Sequence, residues 1–434
     1  MDTHQTRGVI SRGGFDETFR RIYKDDPASL CVQRARYEAA LQGFEDHFGD
    51  RDVRLFSTPG RTEVGGNHTD HNAGHVLAAS VDLDVLAVAA PNGSVLVRIW
   101  SEGYGPIECS TLDLTIDESR FFTSGAIVTG VLRGLLDRGF AVGGFDAYMT
   151  SNVLPGSGLS SSAAFEVCVA TILNHLYDDG RVDDVTLAKV SQFAENDFFG
   201  KPCGLMDQTT CAVGGFVTID FEDFENPGIE KVPFEFGASG YSLCVVDTGG
   251  DHADLNDDYA ALEHEMKSVA RALGADVLRR TSKKAVLENL ASLRGQVNDR
   301  AILRAIHFFD DDEKVLQQVD ALQTGDFGRF MDLIVASGLS SFMYCQNIYA
   351  NAHWQVQGLS IALAVSENVL RGRGAWRVHG GGFAGTIQSF VPDDLLPAYR
   401  AAMVAVFGEK SFYELMVRPC GTMEIVPTEP KEKE

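Results

Sequence analysis

The 434-residue sequence predicts a two-domain protein of mixed α and β structure, and three observations carry that expectation. Strand-like alternation and helix-like periodicity interleave along the chain instead of separating into blocks. A polar segment containing Pro227-Gly228, from Glu222 to Gly240, breaks the pattern near the middle, where a domain boundary is expected. The length suits two domains of ordinary size, and a hydrophobic content of 44% supports a filled core in each.

Composition narrows the function. Sixty-one acidic against 37 basic residues leave a net charge of −24, which disfavours nonspecific attraction to nucleic acid or anionic membranes. An anionic ligand would have to be met locally, by helix N-termini, a few placed basic side chains and a metal cation. No uncharged apolar run reaches the roughly 20 residues of a membrane helix, and Met1 to Arg20 lacks the apolar centre of a signal peptide. A soluble cytoplasmic protein is expected. The eight cysteines contain no CxxC pair and are expected to be reduced, mostly buried thiols.

Taken in order, residues 1–14 are polar and are expected to form a loose arm. Pro27 to Phe48 spaces Leu30, Tyr37, Leu41 and Phe44 as one face of a helix, with Gly49 as its stop. Arg54 to Ser57 resembles a short strand running into a turn at Pro59-Gly60. The stretch from Gly60 to His75 is dense in polar residues yet stands between strand-like segments. Such groups lose hydration unless they find partners, which marks a site, the plain alternative being a solvated loop. His68, His71 and His75 could suggest zinc, but Asn72-Ala73-Gly74 interrupts the helix that would align them. Val76 to Ala90, Val95 to Trp100 and Phe145 to Met149 are expected as strands, and residues 124–138 as a helix.

The run Gly156-Ser157-Gly158-Leu159-Ser160-Ser161-Ser162 precedes a stripe of Phe165, Val169, Ile172, Leu173 and Leu176 at helical spacing. A glycine turn therefore feeds a helix start, whose unpaired N–H groups and positive dipole end suit the phosphates of a nucleotide. Val185 to Phe199 is a second amphipathic stretch and contains Glu195. Asp207 lies in a largely apolar, glycine-flanked segment and serves either as a helix cap or as a base. Phe216 to Phe221, Tyr241 to Thr248, Ala375 to His379, Thr386 to Val391 and Thr422 to Pro427 are expected as strands, with helices over Asp257 to Met331 and Trp354 to Leu370. Gly380 to Gly385 fits GxGxxG, but a strand-like segment follows it, which argues against a dinucleotide fold.

Four stretches, beginning at Pro59, Gly156, Pro202 and Gly380, stand in the order found in the GHMP small-molecule kinases, and their detail resembles galactokinases. The first galactokinase motif, PGRxNLIGEHxDYNxG, is met by PGRTEVGGNHTDHNAG from Pro59 to Gly74. The second, GxGLSSSAA, is complete from Gly156 to Ala164, and PCGxMDQ is matched from Pro202 to Gln208. The resemblance spans roughly residues 20 to 427.

It implies an α+β, two-domain GHMP kinase fold with the active site in the cleft between the halves. Residues 20–235 would form a ribosomal-S5-domain-2-like half and residues 236–427 a ferredoxin-like half, flanked by an arm at 1–19 and a tail at 428–434. By the same resemblance, Gly156 to Ser162 would wrap the phosphates of ATP, while Ser162 and Glu195 would hold Mg²⁺. Asp207 would face the C1 hydroxyl of a sugar as general base, with Arg61 stabilising both it and the transferring phosphoryl group. A carboxylate beside an arginine is a weak base, so base and orienting group both stay open.

Sugar recognition is where the sequence departs from the family. His68 and Asp70 match sugar-binding positions, and Tyr259 resembles the tyrosine of the family's SEYN segment. Asn67 stands where the family has Glu, at the contact to O6; Glu63 replaces an Asn, and His71 a Tyr. The arginine pair after the SEYN tyrosine is Ala260-Ala261-Leu262-Glu263 here, and Ser337 to Ser341 replaces the SHxSL segment. Galactose is the expected substrate, with arabinose, galacturonate and N-acetylgalactosamine as alternatives and a sugar- and ATP-binding sensor as the non-catalytic one. The partners expected are a small sugar and ATP, without nucleic acid or membrane; a monomer is compatible.

Overall fold

The computed structural model describes residues 1–153, 158–250 and 255–428. Among the described residues twelve strands form two sheets. In chain order they are β1 (Arg54–Gly65), β2 (His75–Pro91), β3 (Leu96–Ser101), β4 (Gly105–Ser110), β5 (Phe145–Ser151), β6 (Phe216–Asp220), β7 (Gly228–Val232), β8 (Tyr241–Asp247), β9 (Ala375–Val378), β10 (Thr386–Pro392), β11 (Phe412–Leu415) and β12 (Met423–Ile425). The larger sheet runs β12-β1-β2-β5-β3-β4, with β6 on the first part of β2 and β7 beyond β6; the smaller runs β11-β8-β10-β9. β7 lies inside the segment expected as a boundary, and β12 returns to the larger sheet beside β1.

The near-continuous apolar run of β2 follows from burial on both faces. Side chains alternate along a strand. Leu86, Val88 and Ala90 pack with Phe19, Tyr37 and Phe44 of the N-terminal helices, whereas Val85, Ala87 and Ala89 pack with Val128, Val167 and Ile172 of the internal ones. The N-terminal layer comprises α1 (Thr3–Ser11), α2 (Asp16–Ile22) and α3 (Pro27–Phe48); α4 (Ser124–Asp137), α5 (Ser161–Tyr177), α6 (Asp184–Phe193) and α7 (Met206–Val213) cover the other face. α3 has the expected bounds, with Asp26 accepting from the Ala28 and Ser29 N–H groups and Gly49 ending it at φ 80°.

Two expectations are corrected here. Residues 1–14 are not a loose arm: Asp2 and Gln5 form a reciprocal capping box that starts α1, and Ile10 and Phe15 are buried. The strand from Arg54 does not end at Pro59-Gly60. Its pairing with β2 slips between Pro59 and Arg61 and continues to Gly65, a bulge that absorbs the missing proline N–H. Gly60 is needed there, because a Cβ would lie 2.7 Å from Leu159 O.

One face of the smaller sheet, through Cys244, Val246 and Ile387, packs on Leu359, Ala362, Tyr399 and Met403. Its other face, through Leu243, Val245 and Phe390, joins the core of the larger sheet. β9 and β10 are antiparallel, so Gly380 to Gly385 is a turn between neighbours and not the start of a crossover helix. Among the described residues no helix is long and apolar enough to cross a membrane.

Candidate active site

The bulge in β1 sets Arg61 against the entry to α5: its backbone N–H donates to Leu159 O at 3.0 Å, and its guanidinium donates to Gly158 O. The remaining N–H groups form a two-pronged pair with Asp207, Nε to Oδ1 and Nη2 to Oδ2, both 2.7 Å. Asp207 is the second residue of α7 and the Ser160 hydroxyl also donates to it. Of the two readings of Asp207, the cap is excluded, since its side chain is spent on Arg61 and Ser160. Burial pushes the Asp207 carboxyl up, but the charge and hydrogen bonds of Arg61 outweigh it and hold the group below the usual carboxylate range.

Ser160 stands just before α5 with φ 58°, a left-handed conformation that is costly for a residue with a Cβ. Its hydroxyl does not cap the helix; it reaches Asp207 instead. Leu159 is fully buried and anchors the turn, and Gly158, at φ 74°, leaves room for His379, whose Cε1 would be 3.1 Å from a Cβ there. Gly156 and Ser157 lie outside the described residues. Ser161 and Ser162 form the first turn of α5 and line a cavity of about 570 Å³ whose walls include Val153, Phe165, Phe122, Phe199 and Tyr104. A helix start thus opens into an apolar cavity.

Glu195 is buried on a π-helical turn, Ala194–Phe199, that continues α6. Lys201 Nζ lies 3.0 Å from its Oε1, and Gln208 Nε2 lies 2.8 Å from its Oε2. Gln208 Nε2 is also 3.2 Å from Glu166 Oε2. Burial, followed by the nearness of Glu195, drives the Glu166 carboxyl well above its ordinary range.

Asp70 and His71 belong to a short 3-10 turn after β1. Asp70 Oδ2 faces Gly204, where a Cβ would be 3.1 Å away, so the first motif meets the PCGLMDQ segment in space. Burial raises the Asp70 carboxyl, but His71, with Nδ1 3.0 Å from Oδ1, and His68 more than offset it and leave the group at about 2. Burial pushes the His68 imidazole down to about 3, and as a neutral ring it donates from Nε2 to Gly381 O at 2.9 Å. The Tyr259 hydroxyl donates to Gly382 O at 2.9 Å.

Glu63 and Asn67, expected to contact substrate, point into the protein. Glu63 Oε1 accepts from Arg377 Nη2 at 2.9 Å and from Asn67 Nδ2 at 3.0 Å. Asn67 Nδ2 also donates to Gly380 O at 2.8 Å, while its Oδ1 accepts from Asn347 Nδ2 at 2.8 Å and from the Ser341 hydroxyl at 3.1 Å. Both side chains are buried, with Glu63 Oε1 and the whole Asn67 amide engaged by β9 and the segments packed around it. The sequence contained one unused signal: Arg377 lies inside an apolar strand, and a buried guanidinium needs a carboxylate. The three histidines of the Gly60 to His75 stretch diverge, His68 to Gly381, His71 to Asp70, and His75 to Asp312 and Asp220 at 3.0 and 3.2 Å. Among the described residues no group of three or more His, Cys, Asp or Glu side chains is placed to hold a metal.

Two family models match parts of the chain. The galactokinase galactose-binding signature covers residues 42–91, which contain Arg61, His68 and Asp70, and the GHMP kinases N terminal domain covers residues 126–215, which contain Ser162, Glu195 and Asp207. Among solved structures, the galactokinase of Lactococcus lactis complexed with galactose superposes with a TM-score of 0.74 at 24% identity, over 88% of this chain and 98% of that one. A mevalonate kinase of Methanococcus jannaschii matches at 12% identity with a TM-score of 0.60, over 84% of this chain and 98% of that one. A D-glycero-D-manno-heptose 1-phosphate kinase from Bacteriodes thetaiotaomicron matches at 14% identity with a TM-score of 0.56, over 86% and 98%. The shared architecture is that of the GHMP kinases.

Proposed function

We propose, for a chain that is a galactokinase-like GHMP sugar kinase by its signature, its kinase domain and its fold, that it transfers the γ-phosphoryl group of ATP to the anomeric C1 hydroxyl of α-D-galactose. The products are galactose 1-phosphate and ADP. The observation that carries this reading is the two-pronged Arg61–Asp207 pair, standing where the start of α5, the Asp70 turn and the PCGLMDQ segment meet.

Phosphoryl transfer asks for position and charge more than for covalent chemistry. The first turn of α5 offers N–H groups to the phosphates, and the apolar cavity beside Ser161 and Ser162 takes the nucleoside. Asp207 orients the C1 hydroxyl and accepts its proton late, once bonding to phosphorus has made that oxygen acidic. Arg61, hydrogen-bonded to both Asp207 and the Gly158 carbonyl, spreads its charge over the phosphoryl oxygens in this reading. His68, Asp70 and Tyr259 bind the sugar, with Asp70 as a hydroxyl acceptor.

The donor set also fits Mg²⁺, which favours oxygen ligands and commonly takes only one or two from protein. Ser162 supplies a hydroxyl and Glu195 a buried carboxylate, and the half-exposed Lys201 ammonium 3.0 Å from Glu195 Oε1 already stands where a positive charge is favoured. Bound there, the ion would neutralise charge on the phosphates.

One observation favours a second acceptor. Asn67, at the family's O6 position, is turned inward, so a sugar without a hydroxymethyl group, such as arabinose, loses nothing there. The test is magnesium-dependent ADP release with galactose, arabinose, galacturonate, N-acetylgalactosamine and mevalonate. Galactose is expected to turn over fastest, and Asp207→Ala to lower kcat about 10²- to 10⁴-fold. Turnover on none of them despite tight ATP binding would overturn the kinase reading; a near-full rate in Asp207→Ala would remove its role.

A further inference from the structure

Gln208 follows Asp207 in the first turn of α7, and its side chain is fully buried. Its amide nitrogen stands between two buried carboxyl groups, 2.8 Å from Glu195 Oε2 and 3.2 Å from Glu166 Oε2. An amide nitrogen carries two N–H bonds, so it serves both acceptors at once. The three groups come from three elements: α5, the π-helical turn and α7. Glu166 is four residues after Ser162 on α5, so the two project from the same face of that helix. Holding Glu166 to Glu195 therefore holds the Ser162 hydroxyl relative to the Glu195 carboxylate, with Asp207 one residue away from the bridge.

Apart from Lys201 on Glu195 Oε1, little else among the described residues holds this cluster in register. Among the described residues, Glu166 Oε1 and Gln208 Oε1 are buried without hydrogen-bond partners, and the only further hydrogen-bond partner of the amide nitrogen is Cys203 Sγ at 3.5 Å. Without the amide, two buried carboxyl groups would face each other unbridged, and buried acceptors left without donors are costly.

We propose that Gln208 is a positioning residue that builds the divalent-cation site of this kinase by bridging Glu166 and Glu195. The inference rests on Ser162 and Glu195 as the cation ligands. Gln208 is fully buried and acts through Glu195.

Gln208→Glu removes the amide donors and places three carboxyl groups in one buried cluster. The measurement is the dissociation constant of Mn²⁺·ADP, followed by water-proton relaxation enhancement, beside calorimetric binding of metal-free ADP. Gln208→Glu is expected to weaken Mn²⁺·ADP about 10- to 100-fold, as loss of a group that orients a ligand does, while metal-free ADP changes less than about twofold. Gln208→Met, similar in length but without donors, gives the same weakening should Gln208→Glu fail to fold. Unchanged Mn²⁺·ADP binding in the Gln208 variants, beside its loss in Glu195→Ala, would overturn the proposal and leave the ligand assignment standing. Unchanged binding in Glu195→Ala would overturn that assignment instead. Equal weakening of metal-free and metal-bound ADP would reduce Gln208 to a packing residue.

Discussion

Asp207 keeps its charge in a buried place because Arg61 grips both of its oxygens. The sign of the pH dependence follows. A carboxyl held below the ordinary range near 3.9 stays ionised at mildly acid pH, so kcat/KM declines only as pH falls through that depressed value. Arg61→Met removes the cation and leaves the burial, which shifts the acid limb of the pH–rate profile upward and lowers kcat about 10²- to 10³-fold. An acid limb that stays in place would show that Arg61 does not set the state of Asp207. The largely apolar segment around Asp207 leaves a cap and a base both open, because its partner lies 146 positions away and no local pattern connects the two. The partners of Glu63 and Asn67 are illegible for the same reason, since Arg377 and Asn347 are separated from them by 314 and 280 positions.

Elements were legible where their causes are local. α3 carries its own cap, a proline at its first position and a glycine stop, and its bounds agree with expectation at both ends. α1 contributes little beyond Ile10 as buried apolar surface, so it shows no stripe, and its helical state depends on a capping box and on docking. The π-helical turn that presents Glu195 has no sequence signature, because an i→i+5 bond changes spacing without changing residue type. That turn packs against α4 at Gly130, where a Cβ would lie 2.7 Å from Ala194 Cα. Gly130→Ala is therefore expected to destabilise the protein by about 1–3 kcal/mol through overpacking and to raise the Mg²⁺ concentration needed for half-maximal rate. Thermal melting and a magnesium titration check the two parts, and an unchanged magnesium requirement would uncouple the crossing from the site.

At the scale of the molecule, His379 sits where the sheets meet. Its Nε2 is 3.0 Å from Thr62 Oγ1 of β1 and its Nδ1 is 2.8 Å from Thr386 Oγ1 of β10. Burial, with Arg61 and Arg377 adding to it, pushes the imidazole down to about 3. The unfolded chain binds a proton there below about 6.5 and the folded one does not, so stability falls as pH drops from 6.5 toward 3 at about 1.4 kcal/mol per unit. His379→Gln removes that contribution, and the loss of unfolding free energy between pH 6.5 and 5 is expected to shrink by about 2 kcal/mol in urea titrations. An unchanged loss would mean that His379 is protonated in the folded state. The mixed fold was readable from alternating periodicities; the joining of the two sheets in one core was not, since it depends on which faces of β8 and β10 are covered.

β12 gives the order of events during synthesis a particular form. β1 gains its outer neighbour only when Met423 to Ile425 emerge, and Arg54 waits equally long for Glu424. Until then a nascent chain leaving the ribosome carries nearly the whole larger sheet with Leu55, Phe56 and Ser57 along an open edge, the kind of edge on which other chains template. Closing that edge therefore depends on a segment 370 positions away from β1, and until that segment docks the larger sheet stays open to its neighbours.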